Sequence, residues 1–334
     1  MTETYLTIAR QGRNAWWRYL LSLILALGLT LNAIIFAAFP FLLVATLQEM
    51  PMLTDDTWMS QPVWFFGVTA AVTSLMTLGL IVAIPALHQR PWRTVMNPQG
   101  QIRWRRIAQG WGVWLGLMLL SIALFAVFDR DLYTIQVTSG WLWRWVPTLL
   151  VMPLTALMSR LVYGYLLQGL GLLISRPVRL TAVVAVLIGL FNVVSSPTPP
   201  TVWDWGFGLI TAGFFVWTIL QDRGLELFIG LQAANGLVRL QIVRSPDTTP
   251  TFPALLTRNG GESSWLDFSV WLVILGLFYA ICFYGWPASR ASAPSTAAVS
   301  SSLEELGSLA VDCPIERWVT CLEDRHLYPK VTSI

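Results

Sequence analysis

The stretch Leu154-Thr-Ala-Leu-Met-Ser-Arg-Leu-Val-Tyr-Gly-Tyr-Leu-Leu-Gln168 lies inside a long apolar run, yet carries Ser159, Arg160, Tyr163, Tyr165 and Gln168. Two other apolar runs do the same: Val186-Leu-Ile-Gly-Leu-Phe-Asn192, and Gly224-Leu-Glu-Leu-Phe-Ile-Gly-Leu-Gln-Ala-Ala-Asn-Gly236. In hydrocarbon a polar group is costly unless it is paired, so a membrane helix that keeps one turns it toward a bundle interior or a cavity. These three stretches therefore mark the interior of the protein.

The surrounding composition fits a membrane solvent. Of 334 residues, 55% are hydrophobic and only 12% charged, half the charge of a typical soluble domain. The fold class is all-α, a polytopic membrane protein with about eight transmembrane helices. Apolar runs long enough for ~30 Å of hydrocarbon fall at roughly 19–47, 63–87, 108–128, 146–174, 178–195, 202–220, 224–243 and 266–286. The first is too long for a cleavable signal and is followed by no small-residue cleavage pattern. Three cysteines, Cys282, Cys313 and Cys321, form no disulfide framework. Nothing in the charge pattern suggests nucleic acid; the expected partners are membrane lipids and other membrane proteins.

Arginine placement predicts the orientation, because cytoplasmic loops retain Lys and Arg. Arg10, Arg13 and Arg18 precede the first run, Arg90, Arg93, Arg103, Arg105 and Arg106 fill the second connection, Arg176 and Arg179 the fourth, and Arg223 the sixth. The odd connections instead mix Arg130, Arg144, Arg244 and Arg258 with Asp55, Asp56, Asp129, Asp131, Asp247 and Glu262. Both termini are then cytoplasmic, in a bacterial-type inner membrane or its equivalent. Trp16, Trp17, Trp141, Trp143, Trp203 and Trp265 lie near run ends, where an amphipathic ring anchors at the interface.

The chain reads as four segments: residues 1–145 with the first three helices, a core of helices four to seven at 146–245, an external loop and eighth helix at 246–286, and a cytoplasmic linker and tail at 287–334. The very short connections at Ser175-Arg176-Pro177 and Gln221-Asp222-Arg223-Gly224 make their helices antiparallel neighbours, so helices four to seven are expected as one compact unit. Beyond Pro287 the composition turns to Ala and Ser, as in a flexible linker. A capping-box pattern at Ser302 and Glu305 and an apolar set at Pro314, Ile315, Trp318 and Leu322 suggest two short tail helices.

The core stretches carry a resemblance. Pro153 to Leu170, with Gly164-Tyr-Leu-Leu-Gln168, resembles the first motif of the CPBP family of intramembrane proteases, the relatives of the CAAX prenyl endopeptidase (Glu-Glu-x-x-x-Arg-Gly-Tyr-Leu-Leu-Gln). Leu225-Glu-Leu-Phe-Ile-Gly-Leu-Gln-Ala-Ala-Asn-Gly236 resembles that family's last motif, Leu-Glu-Leu-x-x-Gly-x-His-Ala-Ala-Asn-Asn. The resemblance covers roughly residues 146–245 and implies a CPBP-like four-helix core. It departs at the functional positions. The family's paired glutamates fall on Met158 and Ser159, its arginine on Tyr163, its two histidines on Asn192 and Gln232, and its final asparagine on Gly236.

The residues alone point the same way. A metal-assisted or acid/base peptidase needs a proton acceptor and imidazole or carboxylate ligands. His88 and His326 are the only histidines, and both fall outside the apolar runs; Glu226 is the one glutamate inside a run. No histidine or lysine stands within the runs to activate Ser159, Ser195 or Ser196. Cys313, Cys321 and His326 match no common zinc spacing. No catalytic residue, cofactor or metal is therefore expected.

The candidate binding residues are Arg160, Glu226, Asn192, Gln232 and Asn235. The amides of Asn192 and Gln232 serve either as glue between helices, at ~0.6 kcal/mol per bond in membranes, or as part of a ligand site. Arg160, near the middle of its run, needs a partner. Glu226 is the expected one, with the amides of Gln232 and Asn235 as others; the functional alternative is an anionic lipid or a peptide carboxylate. The expected function is that of a catalytically inactive CPBP-like scaffold, regulator or lipid or peptide binder, against an active endopeptidase with relocated residues. Transport finds no positive support. The orientation has a direct check: single cysteines within 90–106 and after Arg290 should react with an impermeant thiol reagent only from the cytoplasmic side, and labelling of both from outside inverts the topology.

Overall fold

The structure, a computed structural model, describes residues 5–47, 62–129, 131–136, 141–174, 176–194, 201–244, 254–259 and 265–285. The side chain of Asn192, the pair Ser195 and Ser196, and the tail with Cys313, Cys321, His326 and its two expected helices lie outside the described residues. The chain divides into two units, Met1–Trp286 and Pro287–Ile334.

Within the first unit, backbone groups that have no water to bond must bond each other, and the apolar runs become helices. These are α1 (Trp16–Leu47), α2 (Pro62–His88), α3 (Trp104–Phe128), α4 (Trp145–Leu173), α5 (Pro177–Val194), α6 (Val202–Asp222), α7 (Glu226–Leu237) and α8 (Trp265–Ala280). Wider π-helical turns, Val238–Ile242 and Ile281–Gly285, prolong the last two. Each apolar run expected from the sequence coincides with one of these helices. Among the described residues five of them, α2, α3, α4, α6 and α8, are long and apolar enough to cross a membrane. The protein is an all-α polytopic membrane protein.

Small polar residues on the helices satisfy themselves within the helix. Thr30 donates to Ala26 O at 2.8 Å, Thr77 to Thr73 O at 2.6 Å and Thr155 to Val151 O at 2.9 Å, the back-bonding that lets a hydroxyl reside in hydrocarbon. The start of α6 is set by a capping box: Asp204 N–H donates to Thr201 Oγ1 at 3.3 Å, and Thr201 N–H returns a bond to the Asp204 carboxylate at 2.8 Å.

A small sheet closes one end, in the order β1 (Tyr133–Ile135), β3 (Leu256–Arg258), β2 (Val243–Arg244). Tyr133 stands opposite Arg258 in the antiparallel pair, and Val243 beside Leu256 in the parallel one. The sheet joins the connections that follow α3 and α7, so both helices run from the arginine-rich end to the sheet end and are parallel neighbours. At the arginine-rich end a short 3-10 segment, Thr7–Gln11, and a one-turn helix, Arg93–Met96, fold against the start of α7 and the last turns of α4.

The intimate contact is between α3 and α7. A Cβ on Gly230 would run into Ile107 O and stand 2.7 Å from Trp111 N, and one on Gly110 would run into Leu227 O. Two glycines on facing helices thus bring the backbones together, as small residues do in membranes. The sequence reading confined the core to α4–α7, but α3 is the nearest neighbour of α7, while α4 meets α5 only slightly and α5 packs chiefly on α6. Trp114 of α3 is fully buried, edge-on to Trp271 and Phe278 of α8 at 5.4 Å each. Gly230→Ala should therefore lower the thermal midpoint of the detergent-purified protein, overpacking of this kind costing roughly 1–3 kcal/mol. Gly112→Ala and Gly116→Ala, whose added methyls meet nothing within 4 Å, should leave it unchanged or raised.

Candidate functional site

The motif helix α4 meets α7 through Arg160. Its Nη2 donates to Gln232 Oε1 at 2.7 Å, and its Cζ lies 3.8 Å from the ring centre of Phe228, 4.8 Å from Tyr163 and 5.8 Å from Phe215. Phe228 and Gln232 stand at i and i+4 on one face of α7, so the helix offers a ring and an amide together. The guanidinium, in a residue 7% exposed, rests on aromatic faces, each such contact contributing ~0.5–2 kcal/mol. Nε of Arg160 has no hydrogen-bond partner among the described residues. The expected partner was Glu226; the structure assigns Gln232 instead.

Glu226 belongs to a second cluster, at the arginine-rich end. It is wholly buried in the first turn of α7. Arg103 Nη2 donates to its Oε2 at 2.7 Å, and the Asn97 amide donates to its Oε1. Asp222, closing α6, takes Arg103 at 2.9 Å and Arg106 at 2.8 Å. Two carboxylates face two guanidiniums, so the cluster carries no net formal charge. Burial alone would lower the Arg103 guanidinium, but the Glu226 hydrogen bond and the charges of Asp222 and Glu226 hold it above its ordinary range. Gly224 leaves room for this cluster: a Cβ there would run into Arg103 Nη2 and Glu226 Oε2. The left-handed turn, with φ 54°, is taken by Arg223.

A third cluster corrects the expectation that His88 lies outside the spans. It is the last residue of α2 and is fully buried. Its Nδ1 bonds Arg13 O at 2.9 Å and its Nε2 bonds the Tyr165 hydroxyl at 2.6 Å. A carbonyl only accepts, so Nδ1 carries the proton; in the neutral ring Nε2 then accepts from Tyr165 O–H. Tyr19 stacks beside both rings, 4.5 Å from His88 and 5.0 Å from Tyr165. Both nitrogens are engaged in holding α2, α4 and the N-terminal segment together.

The motif positions divide accordingly. Gly164, Tyr165 and Gln168 are buried: Gln168 Nε2 donates to Thr94 O at 2.9 Å, and Gly164 leaves room for Leu225 and the Tyr5 hydroxyl. Met158, Ser159 and Tyr163 are half-buried, Ser159 Oγ donating to Ala156 O at 3.1 Å within its own helix. Gln232 and Tyr163 meet around Arg160; Gly236 of α7 packs on Met152 of α4, and Asn235 is half-buried. Among the described residues no group of three or more His, Cys, Asp or Glu is placed to hold a metal ion. Asn97, Asp222 and Arg90 were missed as interior residues because they sit in or beside connections, where sequence gives no periodicity. Two carboxylates four apart, Asp222 and Glu226, were the available signal.

No family model matches the chain, and no solved structure matches it. Among curated proteins it is similar to the uncharacterized protein YyaK of Bacillus subtilis (strain 168), 28% identical over 283 residues, which cover 80% of this chain and 92% of that protein.

These partners predict a pattern of coupling. Breaking a buried pair from one side costs ~3–5 kcal/mol, and the lower end applies to Glu226→Leu because the Arg103 side chain is 29% exposed. In thermal or denaturant unfolding, Arg103→Leu and Glu226→Leu should couple strongly. Arg160→Leu and Glu226→Leu, which share no partner, should add within ~0.5 kcal/mol. Coupling of Arg160 to Glu226 instead would reinstate the ion pair.

Proposed function

We propose that this chain is a catalytically inactive, CPBP-like integral membrane protein, acting as a scaffold or regulator of membrane proteins or as a binder of a lipid or peptide. The arginine-rich end faces the cytoplasm of a bacterial-type inner membrane, with both termini on that side. One observation carries the reading: the motif positions that meet between α4 and α7, Tyr163 and Gln232, are occupied by a packing device. An amide and aromatic rings hold Arg160 there, where hydrolysis would need a carboxylate or imidazole. An amide does not titrate near neutral pH and ligates zinc poorly.

A second reading, an active endopeptidase with relocated residues, draws on His88 lying inside the bundle against Tyr165. Against it, His88 has both nitrogens engaged and Glu226 is bonded by Arg103 and Asn97. The two stand in separate clusters and make no hydrogen bond to each other. Purified protein reconstituted in liposomes should show no chelator-sensitive cleavage of membrane substrates or prenylated peptides. Chelator-sensitive cleavage that disappears in both Glu226→Gln and His88→Ala would establish the enzyme reading instead.

A further inference from the structure

Arg90 lies two residues beyond the end of α2, where Gln89 takes a left-handed φ of 54° and turns the chain. The residue is 4% exposed, and Nε, Nη1 and Nη2 are all buried without a hydrogen-bond partner among the described residues. Burial lowers its guanidinium from the ordinary range; the surrounding groups that oppose this are the hydroxyls of Tyr19, Tyr165 and Tyr5, not a carboxylate. Those hydroxyls donate elsewhere: Tyr5 to Val95 O at 2.8 Å, Tyr19 to Asn14 Oδ1 at 3.3 Å and Tyr165 to His88. Among the described residues the acids at this end, Asp222 and Glu226, are bound to Arg103 and Arg106. A buried guanidinium without acceptors is unfavourable, whereas Arg103 donates to Asp222 and Glu226 and Arg160 to Gln232.

What covers Arg90 is the N-terminal segment. Gly12 packs on its side chain, with the Cβ position 3.4 Å from Arg90 Cδ, and Arg13 N–H donates to His88 O at 2.9 Å. Tyr5, Ile8 and Ala9 of the segment are themselves buried against the bundle, and Leu6 fills the space above Gly171. This cover is a single short strap, held to the bundle by the Tyr5 hydroxyl on Val95 O, by Gln168 on Tyr5 O and by the backbone bond between Arg13 and His88. Exposed Trp16 and Trp17 open α1 just beyond the strap, and exposed Trp104 opens α3 at the same arginine-rich end. Such rings sit at the headgroup level of a bilayer, where phosphate is the abundant anion.

We propose that Arg90 is the centre of a phosphate-binding site at the arginine-rich end, closed here by the strap Tyr5–Gly12 and opened when the strap lifts to admit a phosphate-bearing anion. An arginine fork matches phosphate oxygens. The closed form buries the charge uncompensated, so an anion that reaches the guanidinium favours the open form by differential affinity. The site is independent of the contact between α4 and α7 and of whether that contact has catalytic relatives.

The test uses the full chain, delipidated in maltoside detergent, and follows its thermal midpoint. Arg90→Met should raise the midpoint without added anion, because it removes an unpaired charge; a fall would reveal a partner and overturn the proposal. Dioleoylphosphatidylglycerol should raise the wild-type midpoint saturably and leave Arg90→Met unmoved, with dioleoylphosphatidylcholine as the zwitterionic comparison. Inorganic phosphate producing the full shift would identify a soluble anion as the source, and a shift with lipid alone the headgroup. Tyr5→Ala, which loosens the strap, should lower the half-saturating anion concentration by up to about tenfold, the gain expected if the open form is about one-tenth populated. An equal response in Arg90→Met, no response of the wild type to either anion, or an unchanged half-saturation in Tyr5→Ala each refutes it.

Discussion

Glu226 is a carboxylate with no exposed surface, placed in the first turn of a helix at the end of a membrane bundle. Its charge is tolerable there because a helix N-terminus favours anions and because Arg103 and Asn97 supply donors. Other features follow from keeping those donors in place. Gly224 must lack a side chain, and Leu225 N–H is spent on Met96 O at 2.9 Å. Fixing the start of α7 beside the start of α3 sets their register, so that Gly230 falls opposite Ile107 and Gly110 opposite Leu227. The same register presents Phe228 and Gln232 to Arg160 on the opposite helix.

Three guanidiniums, Arg103 half-buried and Arg160 and Arg90 buried, illustrate three ways of removing a cation from water. Arg103 is met by two carboxylates and remains charged at moderate cost. Arg160 has no carboxylate, and is held by ring faces and one amide oxygen. Arg90 has tyrosine oxygens nearby but makes no hydrogen bond among the described residues. The first two arrangements account for packing without invoking a ligand. The third does not, and that difference in satisfaction, rather than burial as such, separates a structural arginine from one with an unfilled role.

The interior is therefore polar but committed. His88 bonds with both nitrogens, Gln168 ties α4 to the one-turn helix at Arg93–Met96, and Gln241 ties α7's extension to α4 through Thr148 and Arg144 O. Each bond joins segments distant in sequence, which gives a polar residue in hydrocarbon a packing use.

Much of this was legible in the sequence. Apolar length and the absence of water fix membrane helices wherever about 20 apolar residues run together, so all the expected runs became helices. The demand that intramembrane polar groups face inward makes Arg160 and Gln168 interior residues from the sequence alone. The sheet was not legible, because strands of two or three residues leave no alternation to read. Nor was the inward turn of His88 and Arg90, which depends on a left-handed Gln89 and on a strap from another part of the chain. The partner of Arg160 was undecidable for a geometric reason. Glu226 and Gln232 lie on one helix, about 9 Å apart along its axis and roughly 240° apart around it, so sequence offers both. Only the height and rotation at which α7 docks on α3, set by backbone contact at Gly110 and Gly230, determine which of them faces α4.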